Sequence, residues 1–375
     1  MDTDILSVLL APEQFGGIAQ KELAQQIEAK KKCREKLPTW FHGPGIYYPD
    51  KRNIEQCSSE ATARYKAGLI QGTGFLDLSG GLGVDCYFFA RNFDRATHCE
   101  IDPELSQMAE HNFRMLKSAP IRCLPVDGIQ FLQESPQAYD WIYADPSRRS
   151  GDKGKVFRLG DCLPNIPEHL DLIFQRTGKL LLKCSPMLDI QQGIKELRFV
   201  REVQAVALQG EVKELLFILE RGFSGPVAVK AVDLTKEGER AFGFGLEAEQ
   251  RATAQFGEPM AYLYEPNAAI LKAGGFKSVG LAHGLKKLHP HSHLYTSGEP
   301  IEFPGRRFRI LARFPYSKKT LRDLALAKAN NTTRNFPLSV AELRKKHKIA
   351  EGGEAYLFFT TDSQGALIVL QCAKA

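Results

Sequence analysis

The sequence predicts an α/β fold built on an open, mostly parallel, Rossmann-like sheet, and three observations carry that prediction. An apolar strand, Phe75–Ser79, runs into the glycine turn Gly80-Gly81-Leu82-Gly83 and then a helix. The next three apolar runs each end at or just before an acid: Glu100, Asp127 and Asp145. Strand and helix patterns then alternate until two closely spaced strands close the series. A glycine turn and acids at strand ends are how an open α/β sheet builds a nucleoside pocket.

The elements follow in order. Residues 1–66 read as a helical region: Glu13 to Lys36 is rich in Glu, Gln, Ala and Lys at helical spacing, and Pro38, Pro44 and Pro49 break the chain. Ser58-Ser59-Glu60 before Ala61-Thr62-Ala63 is a helix start with a hydroxyl cap. Strands are expected at 75–79, 96–101, 121–125, 139–144, 179–184, 202–208 and 214–220. Helices are expected at 84–92, 103–117, 128–134, 166–177 and 188–197. The short loop Gln209-Gly210-Glu211 makes the last two strands a terminal antiparallel hairpin at the sheet edge. Five parallel strands plus that hairpin, seven in all, is the layout of the class I methyltransferase sheet. A nicotinamide dehydrogenase would continue with another parallel unit.

Residues 67–275 therefore form one domain, with 226–275 as an extension holding a strand at Val227–Leu234, glycine-rich Phe242–Gly245 and a helix near Pro266–Ala273. Gly274-Gly275 marks a boundary. Residues 276–375 form a small α+β module, with strands near 308–314, 355–360 and 366–371 and helices near 318–328 and 339–346.

A chain of 375 residues with 43% apolar content suggests two or three domains and a sizeable core. The acidic start and the short apolar run after it are no signal peptide. No segment approaches the roughly 20 apolar residues that span a bilayer. A soluble, cytoplasmic protein with no membrane partner is expected. The eight cysteines include no C-x-x-C pair, which argues against a disulfide framework and a structural zinc site. The net charge of +6 is unevenly placed. Phe276 to Lys348 holds sixteen Lys or Arg against four Asp or Glu, a net +12, which leaves −6 for the remainder. Positive charge concentrated on one module suggests a phosphate-rich partner.

The cofactor expectation rests on residue types. Gly81 and Gly83 remove side chains where backbone must approach a ligand. A tight strand-to-helix turn alone would explain glycine, and Asp102 or Asp127 alone would explain a helix cap. As a set they describe a nucleoside site: Glu100 for ribose hydroxyls, Asp127 for an adenine amino group, and Ser79 and Ile101 beside them. The dinucleotide fingerprint places a third glycine where this chain has Cys86. Asp77 would repel a pyrophosphate but suits a methionyl ammonium. The expected cofactor is S-adenosyl-L-methionine.

At the reacting end, Asp145-Pro146-Ser147-Arg148-Arg149 is similar to the [D/N]-P-P-[aromatic] motif of amino-methyltransferases and to the D-P-P-R variant of RNA methyltransferases. In that motif the acid and the first proline's carbonyl accept hydrogen bonds from a substrate amine. The resemblance makes Asp145 and Pro146 the catalytic candidates. Arg148 and Arg149, with Lys153 and Arg158 of the basic loop that follows, are the substrate-binding candidates, because arginine grips phosphate and stacks on bases. A second chemistry starts from Cys184 in Leu182-Lys183-Cys184-Ser185-Pro186. RNA C5-pyrimidine methyltransferases carry a nucleophilic cysteine in a similar setting, and Lys183 would lower its pKa. A third reading keeps the pocket and loses the chemistry, leaving an RNA-binding protein. His283, His289, His291 and His293 lack a cysteine or acid at ligand spacing, so no metal is expected.

With these residues in view, nearly the whole chain resembles a family of bacterial class I methyltransferases with a small ferredoxin-like domain and a C-terminal THUMP-like domain. The marks are Glu55-Gln56-Cys57-Ser58-Ser59-Glu60 with Thr62 and Tyr65-Lys66, the Asp77–Asp85 turn, and Asp145–Arg149. Further marks are Tyr264–Ala268, Leu294–Ser297 and Thr333–Pro337. THUMP domains bind RNA, so the resemblance implies an RNA substrate, tRNA or rRNA.

Overall fold

The computed structural model describes residues 4–11, 17–148 and 158–375, and it divides into two compact units. The first runs to Leu208 and includes Lys213–Gly225; the second is Gln209–Val212 with Pro226–Ala375. Gly274-Gly275 therefore falls inside a unit. Gly274 adopts φ 82° as the C-cap of a helix, a job that glycine does without a Cβ penalty.

In the first unit, β1 (Gly72–Asp77), β2 (Phe93–Cys99), β3 (Ile121–Leu124), β4 (Trp141–Ala144), β5 (Lys179–Cys184), β6 (Val200–Leu208) and β7 (Glu211–Glu220) lie in the order β3-β2-β1-β4-β5-β7-β6. The first five are parallel and β7 is antiparallel to β5. The β6–β7 turn needs only two residues, because Gln209 and Gly210 both take positive φ. The strand order reverses beside β1, with β2 on one side and β4 on the other. Ligands of open α/β sheets bind at the carboxyl ends of strands at such a switch point.

The sheet is apolar because helices cover it. Phe75, Leu76, Ile142, Ala144 and Leu180–Leu182 are fully buried. α6 (Val84–Phe89), α7 (Pro103–Met115), α8 (Gly128–Glu134), α9 (Ile166–Arg176) and α10 (Ile190–Glu196) connect the strands. Side-chain caps start α7 at Asp102 and α8 at Asp127. In the N-terminal region, α1 (Ile5–Leu10), α2 (Gln20–Lys36) and α3 (Pro38–His42) precede α4 (Lys51–Gln56) and α5 (Glu60–Ala67), which are capped by Asp50 and Ser59. The expected helix from Glu13 is described only from Gln20 to Lys36; residues 12–16 lie outside the described set.

The second unit pairs β8 (Ala228–Thr235) with β9 (Gly238–Gly245) as an antiparallel hairpin. Its larger sheet holds β10 (Tyr262–Pro266), β11 (Tyr295–Ser297), β12 (Gly305–Pro315), β13 (Asn330–Arg334), β14 (Tyr356–Thr361) and β15 (Leu367–Lys374). With the short strand Lys286–Lys287 at one edge, the order continues β11-β10-β12-β15-β14-β13. Both faces are packed: Phe308, Phe358 and Leu370 lie in one cluster, and Leu343, Leu357, Phe359 and Val369 lie in another. That alternation along β14 and β15 is the period-two signature of a strand.

Candidate functional site

A cavity of ≈ 450 Å³ opens at the carboxyl ends of β1, β2 and β4. Its size is within the range of small-molecule sites, roughly 300–1,000 Å³. It is lined by Asp77, Ser79, Gly81, Gly83, Glu100, Ile101, Asp127 and Asp145, so every cofactor candidate from the sequence and the candidate catalytic aspartate meet in one space.

Local geometry explains the residue types. Gly81 and Gly83 have φ of 55° and 76°, and a Cβ on Gly83 would overlap the Phe113 ring. Gly80 passes over the His98 imidazole and Gly128 over the Leu78 backbone, each too close for a side chain. Glu100 holds the turn in place: Oε2 accepts from the Gly81 N–H at 2.7 Å and Oε1 from the Asp102 N–H at 2.9 Å. Asp127 caps α8 through Oδ1, which accepts from the N–H groups of Ile129 and Gln130. Ile101 is 68% exposed, an apolar surface at the cavity wall.

The cavity lining contains six acids, Asp77, Asp85, Glu100, Asp102, Asp127 and Asp145, and no Lys or Arg among the described residues. Asp77 is 1% exposed, and its Oδ1 accepts one hydrogen bond, from the Ser79 N–H. Burial, reinforced by Asp85, Asp145 and Glu100, pushes its carboxyl well above the ordinary range. A group in that state favours a cationic ligand. The ammonium and sulfonium of S-adenosylmethionine match this lining, and a pyrophosphate does not.

Behind the cavity lies a network that the spacing of the sequence does not reveal. Lys66 is fully buried on α5 and donates to Glu214 Oε1 and Oε2 at 2.8 and 2.7 Å and to Ser58 Oγ at 2.9 Å. Its ammonium is 3.2 Å from Asp85 Oδ1. Asp85 Oδ2 accepts from Ser58 and Tyr143, each at 2.7 Å. Burial alone would raise the Asp85 carboxyl, but Lys66, Lys183 and the two hydroxyl donors outweigh it and hold it below the usual value. Asn53, Gln56, Cys57 and Ser58, in and just after α4, supply another cavity wall. The one signal for these residues was the Glu55–Glu60 motif with Lys66, which carried no assigned role.

At the reacting end, the Asp145 N–H donates to Ser79 Oγ at 2.7 Å, and its Oδ2 accepts from Lys183 Nζ. Ser147 and Arg148 pair with Leu163 and Cys162 as a short antiparallel ribbon, which fixes the chain beyond Pro146. Arg149, Lys153 and the loop 150–157 lie outside the described residues. Arg158 is exposed and does not line the cavity.

The cysteine chemistry is not supported. Cys184 is 3% exposed and absent from the cavity lining, and burial pushes its thiol well above the ordinary value. Lys183, expected to activate it, is bound to Asp145 instead, because neighbouring strand residues point to opposite faces.

In the second unit the quoted motifs meet around Glu265. This buried acid pairs with Arg306 and, at 2.7 Å, with Arg334, while Tyr264 O–H and Ser297 Oγ lie 2.9 Å apart. His289 bonds Asn335, and His293 stacks on Phe276. Among the described residues no group of three potential ligands could hold a metal ion. No helix among them is long and apolar enough to cross a membrane.

Comparison with known proteins gives the family of the chain. Residues 262–304 match a ferredoxin-like domain, and residues 305–374 match a THUMP domain-like family. A crystal structure from Porphyromonas gingivalis W83, assigned as a methyltransferase with no substrate stated, superposes with a TM-score of 0.92. It is 33% identical and covers 100% of this chain and 95% of its own. Two curated Mycobacterium tuberculosis sequences, from strains CDC 1551 and H37Rv, are each named an uncharacterized S-adenosylmethionine-dependent methyltransferase. Each is 25% identical over 275 residues, 73% of this chain and 72% of its own.

Proposed function

The chain belongs to the family of class I S-adenosylmethionine-dependent methyltransferases with ferredoxin-like and THUMP-like domains, and from that premise we propose that it methylates an amino group on a base of tRNA or rRNA. The observation that carries the reading is Asp145, at the end of β4, in the same acid-lined cavity as Asp77 and Glu100. S-adenosylmethionine supplies an electrophilic methyl carbon on a sulfonium. In this reading Asp77 meets the ammonium, Glu100 the ribose hydroxyls and Asp127 the adenine amino group. Gly81 and Gly83 let backbone approach, with Ser79 and Ile101 completing the walls. Asp145 and the Pro146 carbonyl accept N–H bonds from the substrate amine, which orients its lone pair; alignment supplies much of the rate. The nitrogen sheds its proton along the hydrogen bond to Asp145.

RNA as the substrate is supported by the THUMP-like match and by the +12 charge of residues 276–348. Arg148, Arg149, Lys153 and Arg158, which follow Asp145-Pro146 in the sequence, are the proposed phosphate contacts. The test is methyl transfer from labelled S-adenosylmethionine to RNA purified from cells that lack this chain. RNase must remove the label, and nucleoside mass spectrometry must find it on an amino nitrogen. Asp145→Ala is expected to keep cofactor affinity and abolish turnover. A C5-methyl product would overturn the amine reading, RNase-resistant label the RNA reading, and absence of transfer the enzymatic reading.

A further inference from the structure

The sequence points to Asp145, but the structure gives that aspartate a partner. We infer that Lys183 is the positioning residue of the methyl-transfer site, acting through Asp145; this rests on the amine-methylation reading above. Three observations converge. First, register: β4 and β5 pair in parallel with Ala144 opposite Leu182, so Asp145 and Lys183 leave adjacent strands at the same level. The match is set by the sheet and not by a flexible loop. Second, burial: the Lys183 side chain is 10% exposed, while the Asp145 side chain, open to the cavity, is 34% exposed. The lysine stands behind the aspartate, not beside it in solvent. Third, bonding: Lys183 Nζ donates to Asp145 Oδ2, which leaves Oδ1 for a donor in the cavity. The backbone of Asp145 is fixed independently by Ser79.

Lys183 stays an ammonium. Burial pulls it down, but Asp145, Asp85 and Glu214 outweigh that and hold it above the ordinary lysine range. It is therefore not a base for the substrate proton. Its work is to lock one carboxylate oxygen so that the other meets the amine in a single orientation. A charge-assisted hydrogen bond is short and directional enough for that. A carboxylate free to rotate would offer the amine several geometries, only one of which aligns the lone pair.

The experiment uses the full chain, labelled S-adenosylmethionine and RNA from cells lacking this chain, with Lys183→Gln, Lys183→Arg, Asp145→Asn and the Asp145→Asn/Lys183→Gln double variant. Lys183→Gln is expected to lower kcat by about 10- to 100-fold, with KM for RNA and the calorimetric Kd for S-adenosylmethionine nearly unchanged. Lys183→Arg recovers part of kcat, and the double variant is no slower than Asp145→Asn alone. A kcat of Lys183→Gln within twofold of the unmodified chain overturns the inference. So does loss of cofactor binding in both Lys183 variants, which would make the lysine a structural strut. Full turnover by Asp145→Ala, which removes the acceptor altogether, would instead sink the amine-methylation reading itself.

Discussion

Asp77 gives the sharpest test of the cavity, because the charge that a cationic cofactor needs is a liability in the free protein. The side chain is 1% exposed, accepts a single hydrogen bond from the Ser79 N–H at 3.0 Å, and has Asp85, Asp145 and Glu100 as neighbours. Burial is the largest cause of its raised pKa; the Ser79 N–H works against it and the neighbouring acids add to it. In the unfolded chain the group titrates near 3.8. Above that value the unfolded chain has released a proton that the folded chain still holds. The contribution of Asp77 to stability is therefore full below the unfolded pKa and is lost as pH rises through the folded one. The slope is at most about 1.4 kcal/mol per pH unit. Asp77→Asn keeps the size and one acceptor and removes the charge. It is expected to raise the unfolding free energy at neutral pH by about 1–3 kcal/mol, the scale of an unsatisfied buried polar group, and to flatten its fall with pH. The same change should weaken S-adenosylmethionine binding by about tenfold or more, because a charge-assisted contact is lost. Urea denaturation followed by circular dichroism over a pH series gives the first quantity, and calorimetry the second. A variant no more stable than the unmodified chain, or one that binds the cofactor with unchanged affinity, refutes the reasoning.

Glu100→Gln keeps the reach of the side chain but puts an NH2 where an acceptor is needed; the Kd for S-adenosylmethionine should rise about tenfold by calorimetry, and an unchanged Kd would remove Glu100 from the ribose. Lys66→Met leaves Glu214 and Asp85 buried without their nearest cation, so the unfolding free energy should fall by about 3–5 kcal/mol. A loss under about 1 kcal/mol in the same denaturation assay would show that the cluster is not held by charge. Gly83→Ala combines φ 76° with an overlap on Phe113, and should cost about 2 kcal/mol of stability together with cofactor affinity. A variant that matches the unmodified chain in both would show that the turn does not need its glycine.

The first unit was legible because its signals are local. Apolar runs, the Gly80–Gly83 turn and the caps at Ser59 and Asp127 each sit within a few residues, and all five expected helices between 84 and 197 appear within a few residues of their expected ends. The second unit was less legible. β11 has three residues and β13 reads Asn-Asn-Thr-Thr-Arg, polar with no alternation, because it pairs in parallel with β14 along only one edge. β10 ends on Pro266, which argues against a strand when read alone.

The site followed the same division for a physical reason. Acids at strand ends are visible because each terminates its own apolar run. Their partners are not, because pairing depends on which strands are neighbours: Lys183 is 38 residues from Asp145, and Glu214 is 148 from Lys66. Once the sheet is assembled, the acids separate into two kinds. Among the described residues Asp77 faces the cavity without an ion-pair partner, whereas Asp85 and Asp145 are backed by Lys66 and Lys183. In a cavity lined by carboxylates, an uncompensated acid is stabilised by a cationic ligand and so acts in binding. A compensated acid gains less from such a ligand but is held in one orientation, and orientation is what an in-line displacement at nitrogen demands. On the proposed reading, Lys183 thus sets Asp145, which aims the substrate, apart from Asp77, which meets the cofactor, a distinction that the order of residues along the chain does not express.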